Sequence, residues 1–393
     1  MNRFDEVIDR KGTLSLKYDF ARERGMPEDV LPLWVADMDF KTPPEVIDAL
    51  VKASQHGIFG YTESKQEYFD ALYHWFKSRF GWEVDRRWLV KTPGVVFAVA
   101  AAVRALTQKG DGVMIQQPVY YPFFHVVEDN GRRLVNNALV YENGSYRIDF
   151  EDFEEKIVTQ KVKLFILCSP HNPVGRVWTR EELTRMGDIC VKHGVIVVSD
   201  EIHADFIYPG HTHTLFPAIK PEFLDNTILC TAPSKTFNLA GLQVSNLFIA
   251  NQELKKKVKQ EIARTGYSQL NTLGLIACQA AYTHGAPWLE ELIQYLSGNL
   301  AFIREFVATR LPGVKLVEPQ GTYLVWLDFK QLGLSQKALD DLIIHGAKLW
   351  LDGGTMFGPE GEGFQRINIA CPRSLLEKAF LNLEKALKEY IPG

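Results

Sequence analysis

The stretch LFILCSPHNPVGRVWTREELTRMGDICVKHGVIVVSDEIH, residues 164–203, decides the fold. An apolar run over 164–168 meets a turn braced by Pro170 and Pro173. An amphipathic helical pattern over 180–194 follows, and a second β-branched run over 195–199 closes the unit. Neither run alternates, and only Ser199 at the end of the second is polar, as expected of strands buried on both faces; the helix between them makes the pair parallel. Working outward, further runs lie at 88–91, 113–117, 227–231 and 247–250, and 95–106 (VVFAVAAAVRAL) is another helical pattern. The alternation predicts an α/β fold with a mostly parallel sheet covered on both faces.

The pattern changes at either side of this core. Residues 1–45 carry few periodic segments and end in a helix-start signal, Thr42-Pro43-Pro44, so they read as an irregular arm. Beyond Pro287 a long helical pattern over 288–310 leads to runs at 313–318, 323–328, 348–352 and 365–369, then a closing helix from Ser374. That order predicts a smaller α+β unit. The expected organisation is an arm with part of the small domain over 1–45, a large domain over 46–285, and a small C-terminal domain over 286–393.

The 393 residues carry 44 Lys and Arg against 48 Asp and Glu, a net charge of −4. Without a concentrated basic field, neither nucleic acid nor an anionic membrane is the expected partner; a small metabolite is. The opening MNRFDEVIDRK has no apolar core of a secretory signal, and the longest apolar run, 95–103, stops at Arg104. A cytoplasmic protein is expected. Five scattered cysteines, without CxxC or CxxH, read as structural thiols in a reducing compartment. His211-Thr212-His213 reads as a polar loop because no third ligand stands at metal spacing. The lysines at 255, 256, 257 and 259 read as a solvated helix face. GGTMFGPEGEGF (353–364) lacks both nucleotide-loop patterns and reads as a mobile loop.

In a sheet of this kind ligands bind beyond the carboxyl ends of the strands, and the residues standing there are unusual. After 88–91 comes Thr92-Pro93-Gly94-Val95-Val96, a turn opening onto a helix whose free amides suit a phosphate. After 113–117 come Tyr120 and Tyr121, where a packed core needs no aromatics and one could stack on a planar ligand. After 164–168 comes Asn172, an amide held between prolines. After 195–199 comes Asp200, a carboxylate in a place that should be buried and therefore needs a cationic partner. After 227–231 comes Lys235, which desolvation would activate for Schiff-base or proton chemistry. One cofactor needs all of these together: pyridoxal phosphate.

With SPHNPVG (169–175), SDEIH (199–203), SKTFNLAG (234–241) and RINIAC (366–371) in this order, the chain resembles the fold type I pyridoxal-phosphate enzymes of the aspartate aminotransferase superfamily over nearly its whole length. The resemblance implies Lys235 as the Schiff-base lysine, Asp200 on the pyridine nitrogen, and Asn172 on the ring oxygen. Tyr120 would lie against the ring, and the Val95 and Val96 amides with Ser234 would hold the phosphate. Arg366 would clamp the substrate carboxylate, joined by Tyr120 and Asn172 at the substrate.

Two positions depart from the aminotransferase pattern: His203 stands where DEIY has tyrosine, and Gln243 where an arginine commonly follows the lysine by eight residues. With WVADMDF (34–40), GYT (60–62) and GTY (321–323), these resemble the MalY/PatB branch of cystathionine β-lyase-like C–S lyases. In that branch a tyrosine matching Tyr61 reaches the phosphate from the neighbouring subunit, which implies a homodimer with shared sites. The implied reaction cleaves cystathionine, cystine or cysteine to a thiol, pyruvate and ammonia. An aminotransferase is the alternative, and a cofactor-binding regulatory protein is an alternative of another class.

Overall fold

The computed structural model describes residues 2–390. Seven strands form the large sheet: β1 (Leu89–Thr92), β2 (Gly112–Ile115), β3 (Arg133–Asn136), β4 (Val162–Cys168), β5 (Ile196–Asp200), β6 (Thr227–Thr231) and β7 (Ser245–Phe248). Their spatial order is β1-β7-β6-β5-β4-β2-β3. All neighbours are parallel except β7, which runs antiparallel to both β1 and β6. The expected mostly parallel α/β sheet is therefore present. Every residue of β6 is buried, as is all of β4 but Lys163, which explains why these strands read as continuous apolar runs. The helix Arg180–His193 between β4 and β5 starts on a Thr179–Glu182 capping box and ends on Gly194, whose φ of 65° suits a residue without Cβ.

β3 escapes the sequence reading for a local reason. It is an edge strand with Arg133 exposed and only Val135 buried, so it leaves no apolar run. Along the order of the sheet the chain reverses direction between β4 and β2, which makes their loops the two sides of a crevice. Those loops are tied to each other: the Tyr120 N–H donates to the Asn172 carbonyl at 3.0 Å.

A second, antiparallel sheet is formed by β8 (Lys315–Val317), β9 (Leu324–Asp328), β10 (Asp352–Gly353) and β11 (Phe364–Asn368), in the order β8-β9-β11-β10. The helices Ala286–Arg310 and Arg373–Tyr390 pack with it. The N-terminal arm joins this half: Leu31–Pro32 pairs in parallel with Leu349–Trp350, and Trp34 stacks on Trp350 with ring centroids 4.4 Å apart.

Two of the expectations need correction. Residues 353–364 are packed rather than loose: they form turns Gly354–Phe357 and Pro359–Gly361, Phe357 is fully buried, and its carbonyl accepts from the Val119 N–H at 2.9 Å. The glycines serve close approach, since a Cβ on Gly354 would lie 1.9 Å from the Gly361 carbonyl oxygen. His213 is no part of a polar loop surface: it is buried and lies 2.6 Å from the buried Glu201 carboxylate, while His211 stays exposed. Among the described residues no group of three or more His, Cys, Asp or Glu gathers as metal ligands, and no helix is long and apolar enough to cross a membrane. All five cysteines are buried free thiols.

Candidate active site

Three adjacent strands deliver three polar side chains to one rim. β4 ends in the turn that carries Asn172, β5 ends in Asp200, and β6 leads into the short helix Pro233–Thr236 that carries Lys235. Asp200 accepts a 3.1 Å hydrogen bond from the Ile202 N–H and has no cation within ion-pair distance among the described residues. Burial pushes its carboxyl up to about 7, against the smaller opposing effects of that hydrogen bond and of Lys235. Lys235 keeps some surface open to the cleft, yet desolvation first and Arg366 second lower its ammonium to about 8. Its Nζ donates to the Ala36 carbonyl at 2.8 Å.

Arg366, from the middle of β11, crosses from the small sheet to this rim. Its Nη1 donates to Asn172 Oδ1 at 3.1 Å, its Nη2 donates to the Trp34 carbonyl at 2.8 Å, and the same Nη2 pairs with the buried Asp352 carboxylate. The guanidinium carbon lies 4.9 Å from the Phe357 ring centroid, and Nε has no partner. His203 is buried with Nδ1 unpartnered, 5.8 Å from the Tyr323 ring. Desolvation, then the Lys235 and Arg366 charges, hold its imidazole well below the usual histidine range, so it is neutral at neutral pH. Tyr120 stands beside them; burial raises its phenol, and Tyr121 and Asp200 add to that.

The expected phosphate cradle lies at the other end of the rim. Helix Val95–Leu106 begins after Gly94 with no side chain capping its first amides, so the Val95 and Val96 N–H groups remain available. β7 lies between the strands that lead to this helix and to Ser234, with Ser245 opposite Thr92 and Asn246 opposite Thr231. Gln243 is exposed, with a left-handed φ of 48°. Tyr61 is not brought to the rim: its side chain is 99% exposed on the segment before helix Gln66–Phe80.

The sequence profile described as Aminotransferase class I and II matches residues 28–382. The chain belongs to the aminotransferase class I and II family. Within this family it is 45% identical to Cystathionine beta-lyase PatB of Bacillus subtilis (strain 168), covering 98% of this chain and 99% of that one. It is 36% identical to Protein MalY of Escherichia coli (strain K12), covering 98% of each. Among solved structures it superposes with a TM-score of 0.96 on cystalysin from Treponema denticola, which contains a pyridoxal 5'-phosphate cofactor, at 39% identity and over all of both chains. These relatives put the chain in the MalY/PatB-type branch of the family.

The rim fits the family's cofactor on its own terms. Asp200 is a buried carboxylate short of a cation, which a protonated pyridine nitrogen would supply. Beside it are an amine of depressed basicity, an asparagine amide, unpartnered nitrogens on His203 and Arg366, and free helix amides for a phosphate. Contributions that sequence reading missed come chiefly from the arm: the Trp34 and Ala36 carbonyls receive Arg366 and Lys235, and the Tyr323 hydroxyl also donates to Ala36, at 3.0 Å. Main-chain acceptors have no residue signature; the WVADMDF run was the one available pointer.

Proposed function

We propose that this protein is a pyridoxal 5'-phosphate-dependent carbon–sulfur β-lyase. It cleaves L-cystathionine or a related β-thio amino acid to a thiol, pyruvate and ammonia. The observation that carries the reading is the convergence of Lys235, Asp200, Asn172 and Arg366 on one buried rim, in a chain 45% identical end to end to a cystathionine β-lyase. Bound at this rim, the cofactor supplies a sink for the electron pair left on the substrate α-carbon. Lys235 is the Schiff-base lysine and, once free, the base that takes the α-proton; an amine near pH 8 is well matched to that task. Asp200 keeps a proton on the ring nitrogen. Arg366 grips the substrate carboxylate in a fork held by Asp352, Asn172 and the Trp34 carbonyl, which orients the α-proton towards the lysine. The thiolate leaves from the β-carbon with the C–S electron pair.

Tyr120 lies against the ring and Asn172 on its oxygen, with neutral His203 on the same side. Ser234 and the Val95 and Val96 amides hold the phosphate. Tyr61, wholly exposed in one chain, fits a role in the site of a second copy, which makes the protein a homodimer with shared sites. The seven-stranded sheet supports a large cofactor-binding domain over 46–285, and the four-stranded sheet a small domain over 286–393 that the arm, 1–45, joins. Five buried, unpaired thiols accord with a reducing cytoplasmic location.

The test is to give purified, cofactor-loaded protein L-cystathionine without a keto acid and assay pyruvate and thiol. Equal yields of both are expected. Amino-group transfer that depends on added keto acid, with no pyruvate, would replace the lyase by an aminotransferase.

A further inference from the structure

Every carbonyl from Trp34 to Met38 is held by a side chain from elsewhere in the fold. Trp34 accepts from Arg366 at 2.8 Å, Val35 from Asn368 at 2.6 Å, and Ala36 from both Lys235 at 2.8 Å and Tyr323 at 3.0 Å. Asp37 accepts from Asn368 at 2.6 Å, and Met38 from Arg10 at 3.2 Å and Asn238 at 3.0 Å. One short segment thus touches both the substrate-clamp arginine and the reactive lysine. The same segment is gripped from behind by an ion cluster whose Lys17 and Asp39 are buried and whose Arg10 and Asp37 are partly so. Arg10 bonds Asp37 at 2.6 Å and Asp39 at 2.8 Å; Lys17 bonds Asp39 at 2.8 Å and lies 3.7 Å from Asp37; and the Tyr18 hydroxyl donates to Asp39 at 3.1 Å. The Lys17 side chain is 0% exposed and that of Asp39 2%. Apolar side chains would fill such a place at no desolvation cost, so an ion cluster there makes sense as a device of placement more than of stability.

We propose that Asp39, held by Arg10 and Lys17, is a positioning residue for the reaction, locking segment 34–38 so that the Ala36 carbonyl receives the Lys235 amino group whenever that lysine is free. This rests on Lys235 being the Schiff-base lysine and base. The carbonyl acceptor favours the charged amine, so slackening the segment moves the titration of Lys235 downward. The other groups that face this amine are Asp200 from β5, Arg366 from β11, the neutral His203 and the Tyr323 hydroxyl, none of which the variants below replace, and Asp37, which moves with the slackened segment and takes with it a charge that raises the lysine, so its displacement acts in the same direction.

The variants are Asp39→Asn and, in case that one does not fold, Arg10→Ala. Two readouts are taken. In cofactor-free protein, acetic anhydride labelling of Lys235 is followed against pH by peptide mass spectrometry. In loaded protein, kcat and KM are measured with L-cystathionine. The labelling midpoint should fall below that of the parent, and kcat should drop about tenfold to a hundredfold, with KM moving less. Arg10→Lys, which keeps the charge without the fork, should recover part of kcat. An unchanged midpoint and kcat, with only thermal stability lowered, would reduce the cluster to a structural anchor and overturn the proposal. Lys235→Ala serves as the reference: turnover retained there would sink the underlying reading of the lysine. An inactive Lys235→Ala beside unaffected arm variants sinks the positioning role alone.

Discussion

The rim of the large sheet and the N-terminal arm meet at Lys235 from opposite sides, and they do so with different chemistry. The rim contributes side chains: Asp200 ends a strand, Asn172 and Lys235 each stand just beyond one, and all three differ in kind from anything packing would select. The arm contributes main-chain acceptors, the Trp34 and Ala36 carbonyls, fixed by ions it keeps buried for itself. The difference teaches that reactive groups and the framework that aims them can come from segments with wholly different sequence statistics. One is written in residue identity, the other in backbone path.

Predictions can break that division of labour or sharpen it. The largest effect is expected on the rim, where Lys235→Ala should remove the cofactor absorbance and lower turnover by about 10³-fold or more, because Schiff-base attachment and base both go. Absorbance spectra and the pyruvate assay check it; appreciable pyruvate from the variant would mean that the rim does not hold the chemistry.

Next comes Asp200 in the cofactor-free protein. Its folded value, about 7, lies above the ordinary 3.8, so the folded state keeps a proton that the unfolded chain releases. The resulting stability is full below about pH 4 and is lost as pH rises through 7, a differential of about 4 kcal/mol. Denaturant midpoints of the parent and Asp200→Asn, compared across this range, should therefore differ in slope, the parent declining relative to the variant. Loading pyridoxal phosphate should abolish the decline by supplying a cation. Parallel curves with and without the cofactor would show that the carboxylate already has a partner.

The smallest effect is expected where rim and arm join. Arg366→Lys keeps a charge near Asp352 but cannot reach Asn172, the Trp34 carbonyl and a substrate carboxylate together. A loss in kcat/KM worth about 1.5–3 kcal/mol should follow, carried mostly by KM. A loss confined to kcat would mean that the arginine acts on placement of the lysine through the 34–38 segment more than on substrate binding.

Sequence reading recovered the strands that are buried on both faces, because burial on both sides leaves uninterrupted apolar runs such as 227–231. It recovered the strand-end residues for the complementary reason that a lysine or aspartate there serves no packing purpose. It failed at β3, whose edge position lets Arg133 face water, and at 353–364, where glycine signals close backbone contact instead of looseness. Nothing near Lys17 in sequence announces that it will be buried against Asp39. Tyr61 lies at the opposite limit: its chemistry was inferred from resemblance, while within one chain it touches only solvent.

The pairing of Leu31–Pro32 with Leu349–Trp350 has a consequence for synthesis on the ribosome. The arm strand emerges before the whole large sheet and its partner strand after it, so the nascent chain carries Trp34 without Trp350 while that sheet is being made. The large sheet can assemble meanwhile, with Lys235 already on its edge. The arm therefore takes up its final pairing beside Lys235 only after residues 349–350 have been made.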